Sequence, residues 1–115
     1  MNDCIFCKII NKELPAKIEY EDDKCIVFHS IEPIAPVHLL IVPKLHIDSI
    51  ATMRDNEQGI IGYLFKIARD VAKKKNLAGY KLLINVNKEG GQVIFHIHVH
   101  LLGGRGILDS DLSKT

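Results

Sequence analysis

His96, His98 and His100 alternate with Ile97 and Val99 in the run Gly90-Gly91-Gln92-Val93-Ile94-Phe95-His96-Ile97-His98-Val99-His100-Leu101-Leu102. A period of two is the repeat of a strand, so the three imidazoles face one way and Ile97, Val99 and Leu101 face a core on the other. At about 3.3 Å of rise per residue, same-face neighbours stand roughly 6.5–7 Å apart along the backbone. Imidazoles this close oppose one another's protonation, so the row is expected to be largely neutral near pH 7 unless an anion binds. A neutral imidazole offers a lone pair that can attack phosphorus or bind a metal. The bland alternative is a set of polar residues on a wet sheet face. Against it stands the turn Gly90-Gly91-Gln92, because glycine lets backbone amides approach an anion closely. A glycine turn feeding a histidine row makes a phosphate cradle beside a nucleophile.

Phosphoryl transfer needs an in-line nucleophile, groups for the equatorial oxygens and a proton for the leaving group. His98, central in the row, is the candidate nucleophile: imidazole attacks without an added base, and water can resolve the product. Its second ring nitrogen is expected to donate to a backbone carbonyl, that of His96. His100 is a candidate donor to phosphate oxygens, with the backbone amides of Gly91, Gln92 and Val93; each such donor is worth about 2–4 kcal/mol in other enzymes. Cys4 and Cys7 lie one helical turn apart on one face, two soft ligands arranged for Zn²⁺, or else two buried thiols. Cys25 reads as a small buried apolar residue.

The elements that must position these groups are legible from periodicity. Cys4 to Asn11 reads as a short helix capped by Asp3, with Ile5, Phe6, Ile9 and Ile10 as its apolar face. Ala16–Tyr20 and Lys24–His29 read as strands joined by the acidic turn Glu21-Asp22-Asp23. After the proline-bearing loop 31–36, His38–Val42 is a third strand stopped by Pro43. Asp55–Lys75 is the long helix, with Ile60, Ile61, Leu64, Ile67, Ala68 and Val71 at helical spacing. Asp55 is expected to cap it with Gln58 reaching back, and Lys73, Lys74 and Lys75 suit its C-terminal dipole as a solvated end. Tyr80–Asn85 is the fourth strand and the histidine run the fifth. The expectation is a single α+β domain over 1–115, with a core from about 4 to 105 and a polar tail over 106–115. In it an antiparallel sheet of five strands packs with one long and one short helix.

The bulk numbers agree with one core: 115 residues, 47% apolar, net charge +1. That charge disfavours a nucleic-acid polymer as partner. No apolar run reaches the roughly 20 residues of a membrane span, and the N-terminus lacks a signal-peptide core, so the expected compartment is the cytoplasm. Three cysteines, two of them only three apart, argue against a disulfide framework.

Gly-Gly-Gln-x-x-Phe-His-Ile-His-Val-His-Leu-Leu resembles the signature of the histidine triad (HIT) family, His-φ-His-φ-His-φ-φ with φ apolar. Within it the chain is most similar, from Cys4 to about Arg105, to the Hint-type (protein kinase C interacting protein-like) nucleoside phosphoramidate hydrolases. The resemblance implies a hydrolase that cleaves P–N or related bonds of purine nucleotides through a nucleotide covalently held on His98. His100, His38 and His96 would complete the catalytic set, His38 as a further phosphate donor, with no cofactor required. It also implies a homodimer joined across the long helices and fourth strands. Asn85 matches a residue that binds ribose or phosphate, and nucleoside recognition falls to Phe28, His29, Ser30 and Ile31. Phe6, Ile9 and Ile31 would wall the base, or serve as ordinary core. By likeness to zinc-binding branches, the metal ligands would be Cys4, Cys7, His46 and His96, a closed structural Zn²⁺ site.

Two positions depart from the family pattern. Ser30 stands where relatives often carry an aspartate that holds both ribose hydroxyls, and serine accepts less strongly than a carboxylate. Val93 stands where Hint-type relatives frequently place a serine that helps the leaving group. The tail Ile107-Leu108-Asp109-Ser110-Asp111 lacks the aromatic end of some relatives. The rival readings are a Fhit-type dinucleoside polyphosphate hydrolase, and a nucleotide-binding or interaction module with little turnover.

Overall fold

The computed structural model describes residues 3–104. Arg105 and the tail over 106–115 lie outside the described residues. The first helix, α1 (Ile5–Ile10), is capped by Cys4 rather than Asp3: Cys4 has extended backbone angles, and its Sγ accepts from Cys7 N at 3.4 Å. Helix formation therefore starts one residue later than the acidic side chain suggested. Strands β1 (Ile18–Glu21) and β2 (Cys25–His29) follow as a hairpin. Its turn is held by Asp22, whose Oδ1 accepts from Lys24 N and Cys25 N at 2.8 Å each, and whose Oδ2 accepts from the hydroxyls of Tyr20 and Tyr63.

Strand β3 (Val37–Pro43) runs back beside β2, with Pro43 as its last residue opposite Cys25. Two single 3₁₀ turns (Ile50–Thr52 and Asp55–Glu57) lead into the long helix α2 (Gln58–Lys74). The side chain that reaches back at its start is Glu57, which accepts from Arg54 N at 2.7 Å, not Gln58 on Asp55. Strand β4 (Tyr80–Leu83) then forms an edge, and β5 (Val99–Gly103) inserts between β3 and β4. The sheet is wholly antiparallel in the order β1-β2-β3-β5-β4.

The two faces of this sheet have different fates because side chains alternate. Val27, Leu39, Ile41, Val99 and Leu101 pack with Leu64, Ile67, Ala68 and Val71 of α2, and this is the main core. Each fully buried Leu or Ile there contributes about 1.5–3 kcal/mol. On the opposite face Ile26, Phe28, Leu40 and Val42 pack under Phe6 and Ile9 of α1. The short helix covers only part of that face. His100, paired with Leu40 on one side and Leu83 on the other, belongs to the same face.

The histidine run is not one continuous strand. β5 begins at Val99, so His96 and His98 lie in an extended lead-in upstream of the ladder. The cause is a competing partner: residues 92–97 hydrogen-bond to the end of β3 and the loop after it, through the carbonyls of Pro43, Ile47 and Asp48. The alternation survives this departure. Ile97 is buried in the α2 core, and all three histidines are buried. Among the described residues no helix is long and apolar enough to cross a membrane.

Candidate active site and metal centre

Hydrogen bonds assign a tautomer to each ring of the row. His98 Nδ1 lies 2.7 Å from the carbonyl oxygen of His96. A carbonyl only accepts, so Nδ1 carries the proton and the lone pair resides on Nε2, which is buried. His38 Nδ1 accepts from Ile34 N at 3.2 Å, so its proton is on Nε2, and that atom donates to His100 Nδ1 at 3.0 Å. His100 must therefore carry its proton on Nε2. The chain Ile34–His38–His100 thus presents a donor in the ring next to His98, their centroids 4.9 Å apart.

This gives His38 a different task from the one expected. Both of its nitrogens are engaged within the protein, so it orients His100 rather than donating to a phosphate oxygen. The rings stay neutral for a physical reason. Burial pushes His100 down to about 3, with the nearby His98 and His38 adding to the shift. Burial also lowers His38, helped by His98.

The glycine turn is a brace more than a cradle. Gly91 takes a left-handed φ of +92°, and Asn85, buried just beyond the end of β4, packs against it and donates to its carbonyl at 3.4 Å. Gly91 N and Gln92 N donate to Lys88 O and Asn87 O at 3.0 Å each, so the expectation that these two amides receive phosphate is corrected. The side chain of Gln92 is likewise engaged: Oε1 accepts from Asn87 N at 2.9 Å, and Nε2 donates to Asp48 O at 2.7 Å and Ile94 O at 3.0 Å. Gln92 fastens the lead-in to the fold; it does not offer its amide to a nucleotide.

An apolar cavity of about 440 Å³ lies beside α1, lined by Phe6, Ile9, Phe28, Leu40, Ile94 and Val93 among others, with Ser30 and Ile31 at its border. Phe6 joins it to the histidines, standing edge-on to His98 with centroids 4.9 Å apart and planes at 90°. Ile31 is 95% exposed and Val93 66% exposed, positions of a rim rather than a core. Ser30 Oγ already accepts from Glu32 N at 3.1 Å. His29 is also among the lining residues. Its ring pairs with Glu19 at 2.9 Å, which in turn meets Lys75 at the end of α2, so a nucleoside contact by this ring is corrected. Ile5, Leu14, Pro15 and Ala16 also line the cavity and were not read from the sequence as site residues. Their apolar types are the same in a core and in a cavity wall, so they gave no signal.

Cys4, Cys7, His46 and His96 converge from three places in the chain, their ligand atoms all within 4.8 Å of one another. His96 Nε2 lies 2.8 Å from Pro43 O and His46 Nε2 lies 2.6 Å from Asp48 Oδ1. Both outer nitrogens therefore carry protons, and both Nδ1 lone pairs point inward. There His96 Nδ1 is 3.3 Å from Cys4 Sγ and 3.5 Å from Cys7 Sγ, and His46 Nδ1 is 3.2 Å from Cys7 Sγ. With Zn–S near about 2.3 Å and Zn–N near about 2.0 Å, a tetrahedral ion needs nitrogen–sulfur separations of roughly 3.5 Å. The donor set fits such an ion. Burial pushes the Cys4 thiol up and His96 down to about 4, both toward neutral forms that a cation would change on the sulfur side. Cys25 is apart from this cluster, its thiol pushed up to about 12 by burial. Asp48 was missed from the sequence, although its place two residues after His46 was a usable signal.

A family model described as HIT domain matches residues 11–107. The chain is 45% identical over 104 residues to Protein HitA of Neisseria gonorrhoeae, covering 90% of this chain and 97% of that protein. Its fold superposes on a HIT family hydrolase from Legionella pneumophila with a TM-score of 0.88 and 43% identity, covering 91% of this chain and 96% of the other. A histidine triad protein from Clostridium difficile gives a TM-score of 0.90 with 38% identity, covering 93% and 95%.

Proposed function

The chain belongs to the HIT domain family, and from that premise we propose that it is a nucleotide-binding hydrolase acting on purine nucleoside 5′-phosphoramidates. The observation that carries the reading is the Nδ1–H of His98 fixed on the His96 carbonyl at 2.7 Å, which leaves Nε2 as the attacking atom. The hydrolase named among its structural relatives supports the reaction class.

In the proposed reaction the base enters the apolar cavity and the phosphoryl group meets the histidine row. His98 Nε2 bonds to phosphorus as the P–N bond breaks, and the leaving amine departs with a proton taken from solvent. The positive charge that develops on the imidazole is relieved through Nδ1–H and the His96 carbonyl. His100, with its proton on Nε2, stabilises the phosphoryl oxygens. Water then attacks phosphorus, the P–Nε2 bond breaks, and a nucleoside monophosphate leaves. Cys4, Cys7, His46 and His96 would hold a zinc ion in a closed structural site. That ion would fix the ring of His96, and the chain itself supplies nucleophile and donors. The edge strand β4 and the adjoining face of α2 are the proposed dimer contact, and the cytoplasm the proposed compartment.

A second reading, a binding module with little turnover, is favoured by Val93 on the rim and by the engaged amides of Gly91 and Gln92. Rapid quenching during turnover of adenosine and guanosine phosphoramidates, with a diadenosine polyphosphate alongside, separates the readings. Intact mass should show one nucleoside monophosphate added, mapped to His98 and missing in His98→Ala. Binding without turnover above the His98→Ala background would favour the module. Faster turnover of the polyphosphate would move the substrate class.

A further inference from the structure

The loop from Pro43 to Asp48 has no helix or strand beyond its first residue, yet it grips the lead-in to β5 at three points. Pro43 O accepts from His96 Nε2, Ile47 O from Ile97 N, and Asp48 O from Gln92 Nε2, at 2.8, 2.8 and 2.7 Å. Asp48 adds a contact of another kind. Its carboxylate Oδ1 lies 2.6 Å from His46 Nε2. One residue thus touches a candidate metal ligand with its side chain and the Gly90–Gln92 turn with its backbone.

Chemistry gives the side-chain contact a direction. A carboxylate at neutral pH only accepts, so Asp48 holds the ring proton of His46 on Nε2 and turns the Nδ1 lone pair toward Cys7 Sγ. His96 receives the same service from a neutral carbonyl. His46 is the more exposed of the two rings and sits on a loop without ladder hydrogen bonds, so it has the greater need of an orienting partner. A carboxylate behind a ligating imidazole also raises its basicity toward a cation.

We propose that Asp48 is the positioning residue of the Cys4–Cys7–His46–His96 centre, acting through His46 on a divalent, thiophilic cation. The inference rests on the metal reading of those four side chains. An ordinary surface ion pair would have the same geometry but no effect on the cation, and that difference is measurable.

The test is competition for Zn²⁺ between the full-length protein and a chromophoric chelator, for wild type, Asp48→Asn and Asp48→Ala. Outer partners of metal-bound histidine are typically worth about 10–100-fold in affinity. Asp48→Ala should therefore lose at least about 10-fold, and Asp48→Asn, which keeps an oxygen acceptor, should fall in between. Because the carboxylate is largely exposed, both variants should fold, and Gln92 keeps its backbone acceptor in each. A second readout is the ring ¹⁵N shift of His46 in metal-stripped protein, which should show the Nε2–H tautomer in wild type and a mixture in Asp48→Ala. Affinity within two-fold of wild type for Asp48→Ala overturns the proposal and leaves the centre standing. Failure of the wild type to take up Zn²⁺ brings down the four-ligand reading, and this proposal with it.

Discussion

His38 Nε2 lies 3.0 Å from His100 Nδ1, and the two rings act as one unit because His38 Nδ1 is already occupied by Ile34 N–H. A backbone amide thereby dictates which nitrogen of His100 bears a proton two rings away. His38→Ala removes the constraint without removing the donor. We expect kcat to fall by roughly 10–100-fold, less than the 10²–10³ seen when a direct oxyanion donor is lost, with little change in KM. The acid limb of the pH–rate profile should also move, as His100 regains freedom to protonate. An unchanged kcat and profile would place His38 outside the reaction.

Acid should weaken the fold before it unfolds most surface carboxylate pairs. Burial holds His100 down to about 3, whereas in an unfolded chain the ring titrates near about 6.5. Between those values the unfolded state binds the extra proton, so stability is complete above pH 6.5 and drains as pH falls toward 3. From pH 7 to 5 this one ring should remove about 2 kcal/mol. Urea unfolding at the two pH values measures it, and His100→Asn should lessen the dependence, leaving the share that the other buried rings supply. A wild-type midpoint that does not move between pH 7 and 5 would contradict a buried neutral ring.

Gln92 is expected to be a stability residue. Gln92→Leu keeps the volume but leaves Asn87 N, Asp48 O and Ile94 O without the side-chain amide that meets them. With about 1–3 kcal/mol for each buried group left unsatisfied and some relief from solvent, a loss of about 3 kcal/mol is expected from chemical denaturation. Substrate KM should rise as well, because the lead-in holding His96 and His98 loosens. A variant as stable as wild type would show that the turn holds itself.

Val93 offers the opposite case. At 66% exposure, Val93→Ser should change stability by less than about 0.5 kcal/mol. If proton delivery to the leaving amine limits turnover, the new hydroxyl should raise kcat for alkylamine leaving groups by about 10-fold, below the usual range for general acid catalysis. No increase would mean that solvent already supplies that proton.

Much of the fold was legible because its elements obey single periodicities. Leu64, Ile67, Ala68 and Val71 recur at helical spacing and do meet the sheet, and β2, β3 and β4 fall within two residues of the expected bounds. The errors cluster where a local signal met a non-local partner. Asp3 looked like a cap, but Cys4 sits at the junction. His96 looked like strand, but Pro43 claimed its ring and Ile47 its neighbour. His29 looked like a nucleoside contact, but the alternation of β2 sends its ring toward Glu19.

The candidate site divides along the same line. The sequence by itself determined which chemistry is available: three imidazoles at period two, a glycine turn before them and two thiols one helical turn apart. Those patterns are local, and steric and covalent rules act on neighbours in the chain. Only the tertiary structure decided which nitrogen of each ring holds the proton, because that depends on carbonyls, an amide and a second imidazole 2 to 62 residues away. Tautomer is a property of the partner, and partners are chosen by the fold.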